Sequence, residues 1–125
     1  MLDKIRAHNR GKLPPDYQPN LGRGFDASSV SFLRVNYSDV VDLVNRGLDD
    51  AEILEWCFAS AGKPTDEQIH VWNTFMRKRG WNDEVSETLE RRKAEAGFQA
   101  RSDIRTMFDF IDADEGRPLA PATHA

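Results

Sequence analysis

The fold is decided first by residues 49–62, DDAEILEWCFASAG, which carry both the start and the stop signals of an α-helix. Asp49 stands where an N-cap residue is needed, and Glu52 follows three positions later, which is the spacing of a capping box. Gly62 follows the last turn, where glycine commonly ends a helix. The apolar residues between these ends form one stripe at helical spacing: Ile53, Leu54, Cys57, Phe58 and Ala61. We therefore predict an amphipathic helix over this stretch.

Similar signals on both sides of this stretch predict an all-α fold, a compact irregular bundle of six or seven short helices. The predicted helices run over about 2–10 and 26–33, from Ser38 to a stop at Gly47, from Asp49 to Gly62, from Thr65 to Gly80, over 83–96, and from Ser102 to Gly116. The third is rich in β-branched residues and permits a strand, but its cap and stop favour a helix. Trp72 and Phe108 sit in the middle of apolar stripes, and we expect both to be core residues.

We predict a single helical domain over residues 1–118. The Pro- and Gly-rich stretch 11–24 is predicted to be a loop without regular structure, because its prolines and glycines break helices. The tail 119–125 consists of small, uncharged residues and is predicted to be disordered.

Composition fits a globular intracellular protein. The chain has 125 residues, of which 39% are hydrophobic and 30% charged, with a net charge of -4. A mildly acidic chain has no overall attraction to nucleic acid or to anionic membranes. It has one cysteine, no signal-peptide core and no apolar stretch long enough to span a bilayer. These features predict a cytoplasmic location, with no membrane partner and with nucleic acid an unfavoured one.

The sequence indicates neither a metal nor a cofactor. Counting a calcium-binding loop from Asp112 puts Gly116 and Arg117 where an oxygen ligand and a glycine are required, so that motif fails. The three histidines lack ligand spacing, and no glycine-rich phosphate loop follows a strand. Cys57 lies between Trp56 and Phe58 in an apolar stripe, which indicates a buried structural thiol rather than a nucleophile.

Two basic clusters, 77–79 and 91–93, lie near predicted helix C-termini. Cations there complement the helix dipole, and this explanation is favoured over a nucleic-acid surface. Trp72 and Trp81 lie close to the first cluster in sequence and could stack on bases, but the acidic net charge does not support that function.

The two ends of the chain carry motifs that resemble a known family. Residues 2–7, LDKIRA, resemble its Leu/Ile-Asp-Lys-x-Arg-Ala signature, and residues 101–109, RSDIRTMFD, are similar to its Arg-x-Asp-Ile-x-Thr-Trp-Phe-Asp. Between them, Ile69, Trp72 and Asn73 match an Ile-x-x-Trp-Asn motif. The family is an uncharacterised bacterial one, domain of unknown function 5069. The chain departs from it at Met107, where tryptophan is usual, in lacking an N-terminal stretch, and in the loop after Gly11. The resemblance implies a fold and a bacterial origin, and no activity.

Two functions remain open. The first is a non-enzymatic module that binds a small ligand or a protein partner, and a shallow apolar patch near Trp81 would favour it. The second is an enzyme of unknown class that uses polar residues from the two chain ends, and a deep polar pocket would favour that. The candidate ligand-binding residues are Asp3, Lys4, Arg6, Asp103 and Asp109. We expect the two ends to meet near Arg6, because α-helix 2–10 is too short to be stable without docking.

Overall fold

The computed structural model describes residues 1–119, and within them the chain is all-α, as predicted. It contains seven α-helices and one 3₁₀ helix within that range, and no strand. The α-helices are α1 (Leu2–Asn9), α2 (Phe25–Leu33), α3 (Tyr37–Asn45), α4 (Asp50–Ala61), α5 (Asp66–Lys78), α6 (Ser86–Glu95) and α7 (Met107–Asp114). No helix within residues 1–119 combines the length and the apolar character that a membrane span requires. The predicted disordered tail falls, from residue 120 on, outside the described residues.

The predicted capping box of α4 is present. The Asp49 carboxylate accepts a hydrogen bond from the Glu52 N–H at 2.9 Å, and the Glu52 carboxylate accepts one from the Asp49 N–H at 3.0 Å. Two N–H groups at the helix start are thereby satisfied, which explains why the sequence marked this element so clearly. Gly62 ends the helix as predicted.

The chain forms two compact units, and the first covers Met1–Thr65. In this unit α3 packs against α1, α2 and α4. The buried core contributed by these helices consists of Ile5, Val30, Val40, Leu43, Val44, Ile53 and Cys57. Leu54 was expected in the same stripe but is 44% exposed, because the buried side of α4 is narrower than the apolar stripe in its sequence.

The prediction that residues 11–24 lack any regular element is wrong. Pro15–Asn20 form a 3₁₀ helix within that stretch. Pro15 stands at its first position, where a missing N–H costs nothing because that group has no partner inside the helix. Pro15, which was predicted to break regular structure, therefore begins a short helix.

The second unit begins at Asp66 and consists of α5, α6 and α7, with α7 packed against the other two. Its buried apolar residues are Met76, Leu89, Ile104, Met107 and Phe110. The expectation that Phe108 is a core residue is wrong, since its side chain is 37% exposed. Trp72 is only partly buried.

Two helices of the second unit begin later than predicted. α6 begins at Ser86 rather than 83, because the Asp83 carboxylate binds the N–H groups of Gly80 and Val85 in the turn before the helix. α7 begins at Met107 rather than after Ser102, since Thr106 is its N-cap and accepts a hydrogen bond from the Asp109 N–H at 3.1 Å.

Candidate functional site

The polar residues of α1 are engaged within the first unit. The Arg6 guanidinium bonds to the carboxylates of Asp3 at 3.2 Å and Asp50 at 2.7 Å. The hydrogen bond to Asp50 is the main reason that the pKa of Arg6 lies above its ordinary value. Lys4 pairs at 2.8 Å with Asp26, which is only 3% exposed and also accepts a hydrogen bond from the Gly22 N–H. These contacts tie α1 to α2 and α4.

An open cleft of about 550 Å³ lies beside Arg6. Its other lining residues form the turn before α4 and the start of that helix, residues 47–51. A helix start attracts anions through its N–H groups, but here Asp49, together with Glu52, satisfies two of them. Arg6 in turn already faces two carboxylates. The cleft therefore offers no uncompensated positive charge to a ligand.

The candidate residues near the C-terminal end are also engaged locally. Asp103 accepts two hydrogen bonds from Arg101, at 3.1 Å from Nε and 2.6 Å from Nη2. This pairing lowers the pKa of Asp103. The Asp109 carboxylate accepts a hydrogen bond from the Arg105 N–H at 3.0 Å, at the start of α7.

The five candidate ligand-binding residues thus fall into two groups, one in each compact unit. In the first group, the structure brings Asp3 and Arg6 together. A shared site formed by the two chain ends stays a prediction. Within residues 1–119 no three His, Cys, Asp or Glu side chains are grouped as metal ligands would be. Cys57 is buried as predicted, and this burial raises the pKa of its thiol.

The second unit carries four exposed large apolar side chains, which we together call the aromatic surface. It consists of Val71, Phe75, Trp81 and Phe108, whose exposed fractions are 57%, 47%, 58% and 37%. Val71 and Phe75 are four residues apart and share one face of α5. The Arg79 C=O accepts a hydrogen bond from the Met107 N–H at 2.8 Å, so the segments that carry Trp81 and Phe108 meet.

The turn that carries Trp81 is held by many hydrogen bonds. The Asp83 carboxylate accepts from the N–H groups of Gly80 and Val85, and the Ser86 hydroxyl accepts from the Asp83 N–H and donates to the Gly80 C=O. Gly80 has a φ of +98°, and a Cβ atom there would lie 3.1 Å from the Met107 nitrogen. The position therefore requires glycine, both for its conformation and for the close approach of α7. Trp81 is fixed in an exposed position rather than left on a loose loop.

Arg79 connects this turn to α5. Its guanidinium lies 5.1 Å from the centre of the Phe75 ring and pairs with Asp83 at 3.4 Å and Glu84 at 3.0 Å. Partial burial pushes the pKa of Asp83 upward, but the hydrogen bonds from Gly80 and Val85 and the charge of Arg79 outweigh this and leave it below its ordinary value. Asp83 is therefore a charged anchor of the turn.

Sequence reasoning only partly found the aromatic surface. The sequence predicts a possible apolar patch near Trp81, but it also predicts that Phe108 is a core residue. The available signal was the excess of aromatic residues between 72 and 81. Helical periodicity alone does not predict which of these aromatic residues remain exposed when α5 packs against α7.

Comparison with known proteins gives one assignment. No curated protein and no solved structure matches the chain. A model of one protein family does match, over residues 1–117, and this confirms the predicted resemblance to that family. The match covers nearly the whole chain. The chain belongs to the family described as a domain of unknown function (DUF5069).

Proposed function

We propose that this protein is a non-enzymatic binding module that docks a segment of another protein on the aromatic surface of its second unit. One observation carries the proposal: a hydrogen-bonded turn holds Trp81 with 58% of its side chain exposed. Aromatic residues, tryptophan above all, dominate the energetics of protein interfaces. The exposed part of this large apolar side chain adds nothing to the stability of the folded chain, because it remains in water.

Three further observations support this function over an enzyme. The polar candidates Asp3, Lys4 and Arg6 all hold ion pairs within the first unit. Asp103 pairs with Arg101 in the second. The cations Lys78 and Arg105, close to the aromatic surface, are exposed and could form the polar rim of an interface. We propose a cytoplasmic location for the module, in keeping with a single cysteine that is buried.

The proposal is tested by selecting peptides from a displayed random library against the immobilised full chain. We expect the selected peptides to bind Trp81→Ala at least about tenfold more weakly than the unmodified protein, as for a central interface residue. Leu54→Ala is the matched control, because Leu54 is also a large exposed apolar residue but lies in the first unit. Its peptide affinities should be unchanged.

Trp81→Ala should leave the fold intact because most of the side chain is in water, and a circular dichroism melt checks this. Peptides that bind equally well to Trp81→Ala and to the unmodified protein would contradict the proposal. So would a library from which no peptide is enriched.

A further inference from the structure

The aromatic surface lies beside exposed cations, and these carry an inference about the partner. Resting on the proposed function, we infer that the docked segment is an acidic amphipathic peptide of another protein, with large apolar side chains on one face and carboxylates beside them. The apolar side chains would contact Phe75 and Trp81, and the carboxylates would lie near Lys78 and Arg105.

Lys78 lies one turn after Phe75 on α5 and directly before the turn that carries Trp81. It follows Phe75 by three positions on α5, so the two share a helix face. Its C=O accepts a hydrogen bond from the Trp81 N–H at 3.0 Å, which places the turn directly after it. The Lys78 side chain is exposed, and its ammonium group forms no ion pair within residues 1–119.

Arg105 extends the positive charge, whereas Arg77 lies two positions from Phe75 on α5 and is therefore on another face of that helix. Arg77 lies two residues before Arg79, and Arg105 lies two residues before Met107. The Arg79 C=O accepts a hydrogen bond from the Met107 N–H, so these two segments meet. Arg77 and Arg105 are both exposed, and neither forms an ion pair in the described part of the chain. The Arg77 Nε donates only to the Asn73 C=O on its own helix, at 3.4 Å.

The acidic residues of the same region are already engaged. Asp83 and Glu84 both pair with Arg79, and the Asp109 carboxylate accepts the Arg105 N–H. Lys78 and Arg105 therefore have no ion-pair partner within residues 1–119, whereas Asp83 and Glu84 are already paired with Arg79. A partner that supplies carboxylates complements this arrangement, and one that supplies ammonium groups does not.

Single-stranded nucleic acid would also combine stacking groups with negative charge, but the surface does not suit it. Arg79 is neutralised by Asp83 and Glu84, and Arg77 lies on another face of α5, so Lys78 and Arg105 do not form a continuous row of positive charge. Proteins that follow a phosphate backbone usually present a continuous positive groove. Binding of an oligonucleotide is accordingly an outcome of the test that would overturn the inference.

Four probes are titrated against the full chain by fluorescence anisotropy. The first is a helix-forming peptide with Leu and Phe on one face and Glu on the other. The second replaces every Glu by Lys, the third replaces Leu and Phe by Ala in the acidic peptide, and the fourth is a 15-nucleotide single-stranded DNA. We expect only the first to bind. Its affinity should fall as salt is raised, because screening weakens contacts between exposed charges.

Charge variants locate the contact. Lys78→Ala and Arg105→Ala should each lower the affinity for the acidic peptide by about two- to fivefold, as expected for the loss of an exposed ion pair. Lys78→Glu should weaken it further and improve binding of the Lys peptide. The matched control is Lys63→Ala, a lysine of the first unit that lies over Phe58, which should change nothing.

The outcomes separate the inference from the function on which it rests. If the acidic and basic peptides bind equally and both lose affinity with Trp81→Ala, the aromatic surface is a docking site without charge preference, and this inference is wrong. If none of the three peptides binds although the random library yields peptides that depend on Trp81, this inference is wrong and the proposed function stands. If the oligonucleotide binds more tightly than the acidic peptide, the assignment of a protein partner is overturned.

Discussion

Asp83 is the residue on which the turn between α5 and α6 depends. Its carboxylate accepts hydrogen bonds from Gly80 and Val85 and pairs with Arg79. These contacts favour the charged form, so the pKa of Asp83 is lower in the folded protein than in the unfolded chain. A lowered pKa contributes stability that is fully present above the unfolded pKa and is lost as the pH falls through the folded one.

We predict that Asp83→Asn lowers the free energy of unfolding at pH 7 by about 1 kcal/mol, because hydrogen bonds to a charged carboxylate are stronger than those to a neutral amide. The difference from the unmodified protein should shrink as the pH falls below about 3.9, the pKa of an unperturbed aspartate. Urea denaturation between pH 2 and 7 measures this. Asp42→Asn is the control, since Asp42 is exposed on α3 and forms no ion pair within residues 1–119. A pH-independent difference would contradict the assigned role of the Asp83 charge.

At the scale of the element, α7 shows that the sequence predicts the presence of a helix but not which of its residues are buried. The stripe Ile104, Met107, Phe108 and Ile111 has helical spacing, yet the buried residues are Ile104, Met107 and Phe110. Ile104 lies before the N-cap Thr106 and is not part of the helix, so counting from it assigns Phe108 to the wrong face. α4 was predicted correctly because its capping box is local in sequence. The start of α7 depends on a hydrogen bond from Met107 to distant Arg79, which periodicity does not reveal.

The observed buried face of α7 predicts different losses of stability when Phe108 and Phe110 are replaced. Phe110 is 8% exposed and packs edge-on against Phe98 with ring centres 6.3 Å apart, so Phe110→Ala should cost about 3–5 kcal/mol. Phe108→Ala should cost clearly less, about 1–2 kcal/mol, because over a third of the side chain is already in water. Urea denaturation of both variants gives the comparison. A larger loss for Phe108→Ala would show that the face is misassigned.

At the scale of the whole molecule, the sequence predicts one domain over residues 1–118, and its helices form two compact units. The single domain stays a prediction. The candidate site was predictable in part: the ion pair of Asp3 with Arg6 follows from their spacing on α1, whereas the partners Asp50 and Asp26 come from tertiary contacts that no local pattern encodes.

We predict that both units unfold together in urea. A unit of about 60 residues buries too little apolar surface to be more than marginally stable by itself. One variant keeps only Trp56, which packs against the core of the first unit, and another keeps only Trp72 of the second, the other tryptophans being replaced by Phe. The urea midpoints of unfolding, followed by tryptophan fluorescence, should coincide in the two variants. Each midpoint is first corrected for the change in stability that the substitutions cause, which circular dichroism measures. Separate midpoints would mean two independently folding domains.

Because Cys57 is buried, the folded protein exposes no thiol to reagents that modify cysteine. This thiol is 2% exposed, its pKa is raised, and the chain contains no other cysteine. Alkylating reagents attack the thiolate and need access to the sulfur, so the native protein offers them almost nothing to react with. A cysteine introduced at an exposed helical position such as Glu67, one turn before Val71 on α5, would be the single reactive thiol on the surface of the molecule. A crosslinker or a dye can therefore be attached beside the aromatic surface without first removing the native thiol from the core.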